Sequence, residues 1–169
     1  MKTFVIGIVA AIIILPIGCM AYFVFGFSQT RADAQPSALE SAILRSAIRA
    51  SVRRSAAEIP NPPAANDEAL VAGGKLYVAG CQGCHGELGG PYQEDHDLYP
   101  VPPQLPHTGT QYSEPELYWI VKHGIRMTGM SAYGPLYSEK QLWALAAFLR
   151  RINNLPPRMI ESIGPKKAA

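Results

Sequence analysis

With 169 residues, 48% of them hydrophobic and 17% charged, the chain has room for one modest domain beside any membrane segment. Its formal charge of +2 and its arginines, which lack interleaved aromatics or a known binding fold, argue against a nucleic-acid partner. The charge is uneven: between residues 67 and 155 nine acidic side chains stand against six basic ones, whereas the flanks are basic.

Residues 4–27 are almost wholly apolar. As a helix, this stretch of roughly 36 Å would cross a hydrocarbon core of about 30 Å with some tilt. Lys2 and the amino terminus precede it, so the positive-inside tendency places the N-terminus inside and the remaining chain outside, although Arg31 weakens the asymmetry. Residues 1–30 are therefore expected to be a single-pass anchor. Two processing alternatives compete. Ala32-Asp33-Ala34 resembles a signal-peptidase site, but the apolar run exceeds the ~7 to 15 residues of a cleaved signal. Leu15-Pro16-Ile17-Gly18-Cys19 resembles a lipoprotein box, with Pro16 where leucine is preferred and apolar residues continuing past Cys19.

Residues 31–66 are expected to be a connector. A helix over 37–58 is predicted by the capping pair Ser37 and Glu40 and by the stop at Pro60. Leu44, Ile48 and Val52 form an apolar stripe at four-residue spacing, flanked by Arg45, Arg49 and Arg53. Such a stripe either packs locally, as in a plain spacer, or lies on an anionic membrane surface or a partner subunit. The second is expected, because a free spacer accounts poorly for three arginines in a row. Asn61-Pro62-Pro63-Ala64-Ala65 then reads as a stiff linker.

A domain over 67–155 follows. It opens with a helix over 67–79 that carries Gly73, Gly74 and Tyr77; glycines inside a helix cost about 1 kcal/mol each, so a pair suggests close approach of another backbone. Residues 86–110, rich in Gly, Pro and Tyr and without helical period, read as a loop. Ser113 and Glu116 cap a second helix that ends near Gly124, with Leu117, Ile120 and Val121 facing inward. After another loop over 125–134, Ser138 and Gln141 cap a helix to about residue 152, with Leu142, Leu145, Ala146 and Leu149 buried. Residues 156–169, with Lys166 and Lys167, are expected to be a mobile basic tail.

Between the first two domain helices stands Cys81-Gln82-Gly83-Cys84-His85. Two thiols two residues apart can both reach one macrocycle and add to its two vinyl groups, and the adjoining imidazole is then held beneath the ring as a ligand to iron. A dithiol redox site would want a parallel-sheet pattern and a structural zinc a second ligand pair; neither is present, and Cys19 is the only other cysteine. The motif therefore predicts one covalently attached haem c, with Cys81 and Cys84 as thioether positions and His85 as proximal ligand.

From the motif outward, residues 67–155 resemble the class I mono-haem c-type cytochromes, especially bacterial membrane-anchored ones. Gly73 and Tyr77, eight and four residues before Cys81, stand where that family has the glycine and aromatic of its N-terminal helix, and Leu145 and Phe148 look like the matching contacts on its C-terminal helix. The resemblance implies an all-α fold: a class I cytochrome c haem domain preceded by an N-terminal transmembrane helix and a connector helix. Pro103-Gln104-Leu105 looks like the family's Pro-Asn-Leu stretch, which makes the Pro103 carbonyl the acceptor for the proximal histidine. Gly129-Met130-Ser131-Ala132-Tyr133 resembles the distal Gly-Met-Pro-Ala-aromatic loop with Ser131 in place of proline, which implies Met130 as distal ligand; Met127, a histidine or an open site are the alternatives.

Function follows as an expectation. Histidine and methionine in both axial positions leave no place for substrate, which implies a one-electron carrier rather than an enzyme. It would serve redox donor and acceptor proteins, free-standing or within a membrane complex such as that of a respiratory chain. The haem domain is expected on the periplasmic side of the cell inner membrane. The alternative is a catalytic or gas- or peroxide-sensing haem with a labile Met130, for which no acid/base constellation is evident. His96, His107 and His123 are read as surface residues, Trp119 and Trp143 as packing, and Tyr99 or Tyr133 as partners for a propionate.

Overall fold

The computed structural model describes residues 1–28, 30–31, 34–60, 62–93 and 98–163. The expectations placed on Ala32, Asp33, Asn61, His96, Lys166 and Lys167 lie outside those residues. The chain divides into two compact units, one over residues 1–34 and one from residue 35 onward.

The first unit is a single helix, α1 (Lys2–Val24), which runs without a break through Pro16 and Cys19 and buries none of its residues. Its 23 residues give about 34 Å. That is long and apolar enough to cross a membrane.

The second unit is built entirely of helices and turns among its described residues. In chain order it contains α2 (Ala38–Ala56), α3 (Asp67–Gly80), α4 (Gln82–His85), α5 (Leu105–Thr108), α6 (Glu114–His123), α7 (Glu139–Leu149), a single 3-10 turn (Ile152–Asn154) and α8 (Pro157–Ile163). The predicted caps are formed at the helix starts: Ser113 with Glu116 and Ser138 with Gln141 make full capping boxes. Ser37 accepts from the Glu40 amide without the reciprocal bond, and Asn66 caps α3 by accepting from the Ala69 amide.

The core is the face-to-face packing of α3 on α7, the most extensive helix contact in the unit. Leu142, Leu145 and Phe148 are almost wholly inaccessible, and the Tyr77 ring lies 5.7 Å from that of Phe148. Gly73 is what allows the approach. A Cβ there would stand 2.2 Å from the Ala144 carbonyl oxygen and 2.9 Å from Phe148 Cβ. Helix α6 closes the other side of α7, where Tyr118 stacks on Trp143 at 4.4 Å and Lys122 Nζ donates to Glu139 Oε1 at 2.7 Å. Tyr118 also donates its hydroxyl to Glu139.

Two segments differ from expectation. The tail expected to be mobile from Arg158 onward is helical as far as Ile163: α8 buries Met159 and Ile163, one helical turn apart, with Ile163 against Gly74. Thus the two adjacent glycines of α3 serve different partners, Gly73 admitting α7 and Gly74 admitting the Ile163 side chain, whose Cδ1 would lie 2.4 Å from a Cβ. The second difference is α2. It packs on α6 in the same unit, with Val52 and Ala56 buried, so the lower part of its stripe is covered by the chain's own domain and not by lipid. Leu39, Ile43 and Leu44, nearer its start, remain exposed.

Candidate functional site

The Cys-x-x-Cys-His segment begins at the end of α3 and turns through the single helical turn of α4. The Cys81 amide closes α3 on Tyr77 O, and the amides of Cys84 and His85 both turn back to Cys81 O at 3.2 and 2.9 Å. This tight turn puts both thiols and the imidazole on one short stretch of chain. Two side chains pin it from outside. Tyr77 donates its hydroxyl to His85 O at 3.0 Å and Gly86 O at 2.5 Å, and the buried Gln104 donates Nε2 to Cys84 O at 3.1 Å. Gly86, at φ +93°, has room for no side chain: a Cβ would lie 2.6 Å from Gln104 Oε1, an atom with no hydrogen-bond partner among the described residues.

His85 Nδ1 lies 3.0 Å from Pro103 O. A carbonyl can only accept, so Nδ1 carries the proton and Nε2 keeps its lone pair free to bind a metal. Burial lowers the His85 pKa and so favours the neutral, ligating imidazole, against the smaller opposing effect of the Pro103 bond. The Cys81 thiol is pushed up to about 11, first by burial and then by the neighbouring Cys84, and burial likewise raises Tyr77.

Cys81, Cys84, His85, Pro103 and Met130 line a single cavity. Its volume is about 140 Å³, and it opens to solvent at its mouth. Leu98, Val101, Pro102 and Ile125 supply apolar wall. Met127, by contrast, is 90% exposed at φ +62° and is not among the described residues lining this cavity.

The loop carrying Met130 lacks the proline that would stiffen it, and hydrogen bonds take over. Thr128 Oγ1 donates to Ile125 O at 2.7 Å and accepts from the Met130 amide at 3.1 Å, while the Ile125 amide donates to Met130 O at 3.1 Å. Downstream, the amides of Tyr133 and Gly134 donate to Val121 O and Lys122 O, tying the loop to α6. Gly124 at φ +65° permits the crossing, since a Cβ there would meet Met130 O at 2.6 Å.

Several residues given no role at the site by the sequence alone shape it: Gln104 and Thr128 by hydrogen bonding, Leu98 and Ile48 by lining. Gln104 and Thr128 stood beside predicted positions, but their bonds depend on the fold. Tyr133, expected near a propionate, lines the cavity and donates its hydroxyl to Gly80 O at 2.6 Å. His123 and His107 are exposed, beside Trp119 and Tyr92, and neither tryptophan lines the cavity.

Two thiols, an imidazole and a thioether on one apolar-walled cavity suit haem c, which takes two thioether links and two axial ligands. They do not suit a bare ion: no group of three or more His, Cys, Asp or Glu among the described residues could hold one. Gly73 against α7, Tyr77 under the motif and the Cys-x-x-Cys-His turn together make this domain a class I c-type cytochrome, a haem-based electron-transfer module. Residues 68–149 match the family model described as cytochrome C oxidase, cbb3-type, subunit III. No curated protein and no solved structure matches the chain.

Proposed function

We propose that the protein is a one-electron carrier tethered to the inner membrane by α1, with its single haem c held covalently on the periplasmic side. The observation that carries this reading is the convergence of Cys81, Cys84, His85 and Met130 on one cavity. Cys81 and Cys84 would hold the group through thioether links, each made by adding S–H across a vinyl double bond so that an S–C bond forms, the hydrogen goes to the adjacent carbon and nothing leaves. His85 ligates through Nε2, while its Nδ1–H, donated to Pro103 O, fixes the ring's orientation and raises its basicity. Met130 would be the distal ligand. Haem c, when bound, supplies a one-electron ferric/ferrous couple. The chain's contribution is to close both axial positions and to surround the site with apolar residues, which together favour the ferrous state and exclude substrate.

The matched family is described as a subunit of a cytochrome c oxidase, which supports an oxidase complex as the assembly that this cytochrome serves or joins; its place in a respiratory chain is part of the proposal. A free-standing shuttle between donor and acceptor proteins would use the same site.

Potentiometric titration of the purified full chain tests the reading. The expected curve is a single one-electron wave, and the ferrous protein is expected to leave carbon monoxide unbound. Rapid carbon monoxide binding by the unaltered protein, or turnover of peroxide, would instead favour a catalytic or sensing haem.

A further inference from the structure

The matched cytochrome residues begin at 68, yet the cavity has a wall from outside them: Ile48, on α2. We propose that α2 is a wall of the haem cavity and that Ile48 is the side chain keeping water off the haem on that side. This rests on the reading that the cavity takes haem c.

The seat of α2 explains why Ile48 stays there. Ile48, Val52 and Ala56 are four residues apart and share one helix face. Val52 and Ala56 are 1% and 6% accessible, whereas Leu44, one turn before Ile48, is 50% accessible. The buried run therefore begins at the cavity and continues down α2 against α6. Apolar packing holds the helix: among the described residues the ion pair from α2 to the domain, Arg53 Nε to Glu116 Oε1, is 4.0 Å long with Arg53 76% exposed. Ile48 is half-buried: its lower neighbours anchor it and its upper neighbours leave it at the open side.

The consequence is electrostatic. The ferric state carries one more positive charge than the ferrous, so water or an anion against the cavity favours ferric, and an apolar wall favours ferrous. A carboxylate at Ile48 would act through a partly protein medium and stabilise the ferric state by roughly tenfold. In a one-electron couple that is a fall of ~59 mV.

The test uses the full-length holoprotein in detergent, with potentials measured for Ile48→Glu, Ile48→Ala, Ile48→Leu and Leu44→Glu. The expected order is a fall of about tenfold in the reduced-to-oxidised ratio for Ile48→Glu. A smaller fall is expected for Ile48→Ala, with no charge involved, and little change for Ile48→Leu. Leu44→Glu, on the exposed turn, is expected to shift the potential clearly less than Ile48→Glu. Ile48→Glu and Ile48→Ala potentials equal to the unaltered protein would overturn the proposal and leave α2 a spacer. So would equal shifts from Leu44→Glu and Ile48→Glu, which would mark a charge felt through solvent. Absence of haem from the unaltered protein would overturn the cofactor reading itself, and this wall with it.

Discussion

Replacing Met130 by alanine is expected to turn a ferrous protein that ignores carbon monoxide into one that binds it stoichiometrically, and to lower the reduction potential. Removing the thioether vacates one axial position and takes away the ligand that favours ferrous iron. Alanine leaves the loop's hydrogen bonds in place, since Thr128 and Ile125 engage the backbone of residue 130 and not its side chain. Met127→Ala is the matched control. Met127 is 90% exposed and does not line the cavity, so its loss is expected to leave the site closed. Carbon monoxide binding by Met127→Ala, with Met130→Ala still closed, would reverse the ligand assignment.

The second large effect concerns the core. On an isolated helix, Gly→Ala is stabilising by about 1 kcal/mol. At Gly73 the sign is expected to reverse. The new Cβ would lie 2.2 Å from the Ala144 carbonyl oxygen and 2.6 Å from its carbon, and backbone cannot rotate aside as a side chain can. Either α3 and α7 separate, uncovering Tyr77, Leu145 and Phe148, or the helices bend. A cost of about 3 kcal/mol or more is expected, at the upper end of overpacking and a large share of a typical total stability of ~5 to 15 kcal/mol. Gly83→Ala, where a Cβ would meet nothing within 4 Å, should change stability by less than about 1 kcal/mol. Denaturant unfolding of the two variants measures the difference; a Gly73→Ala protein as stable as the unaltered one would contradict the close crossing.

The features legible in the sequence are those whose signal is local. Ser113 with Glu116 and Ser138 with Gln141 lie three residues apart, and a capping box is complete within that distance. The Cys-x-x-Cys-His spacing likewise defines its own turn. Gly73 and Gly74 signalled a close neighbour, but one pattern could not show that two neighbours were involved. Helix α8 left a faint trace, Pro157 at its start and an apolar pair at Met159 and Ile163, which basic residues and prolines on either side outweighed. The short α5, led by Leu105 and Pro106, was hidden in a proline-rich loop. Ile48 is the instructive miss. Its stripe was visible, but periodicity shows only that a face is apolar; what covers that face depends on pairing across the chain. Periodicity picks out Leu44, Ile48 and Val52, whereas the face in contact is Ile48, Val52 and Ala56, shifted one turn toward the domain.

The most direct test of the central claim is the intact mass of the polypeptide purified from its own membranes, taken after acid-acetone extraction and alkylation of free thiols. The account predicts a chain heavier by one haem, with Cys19 as the single alkylated cysteine. A chain of unmodified mass carrying alkyl groups on Cys81 and Cys84, with the colour left in the solvent, would contradict it.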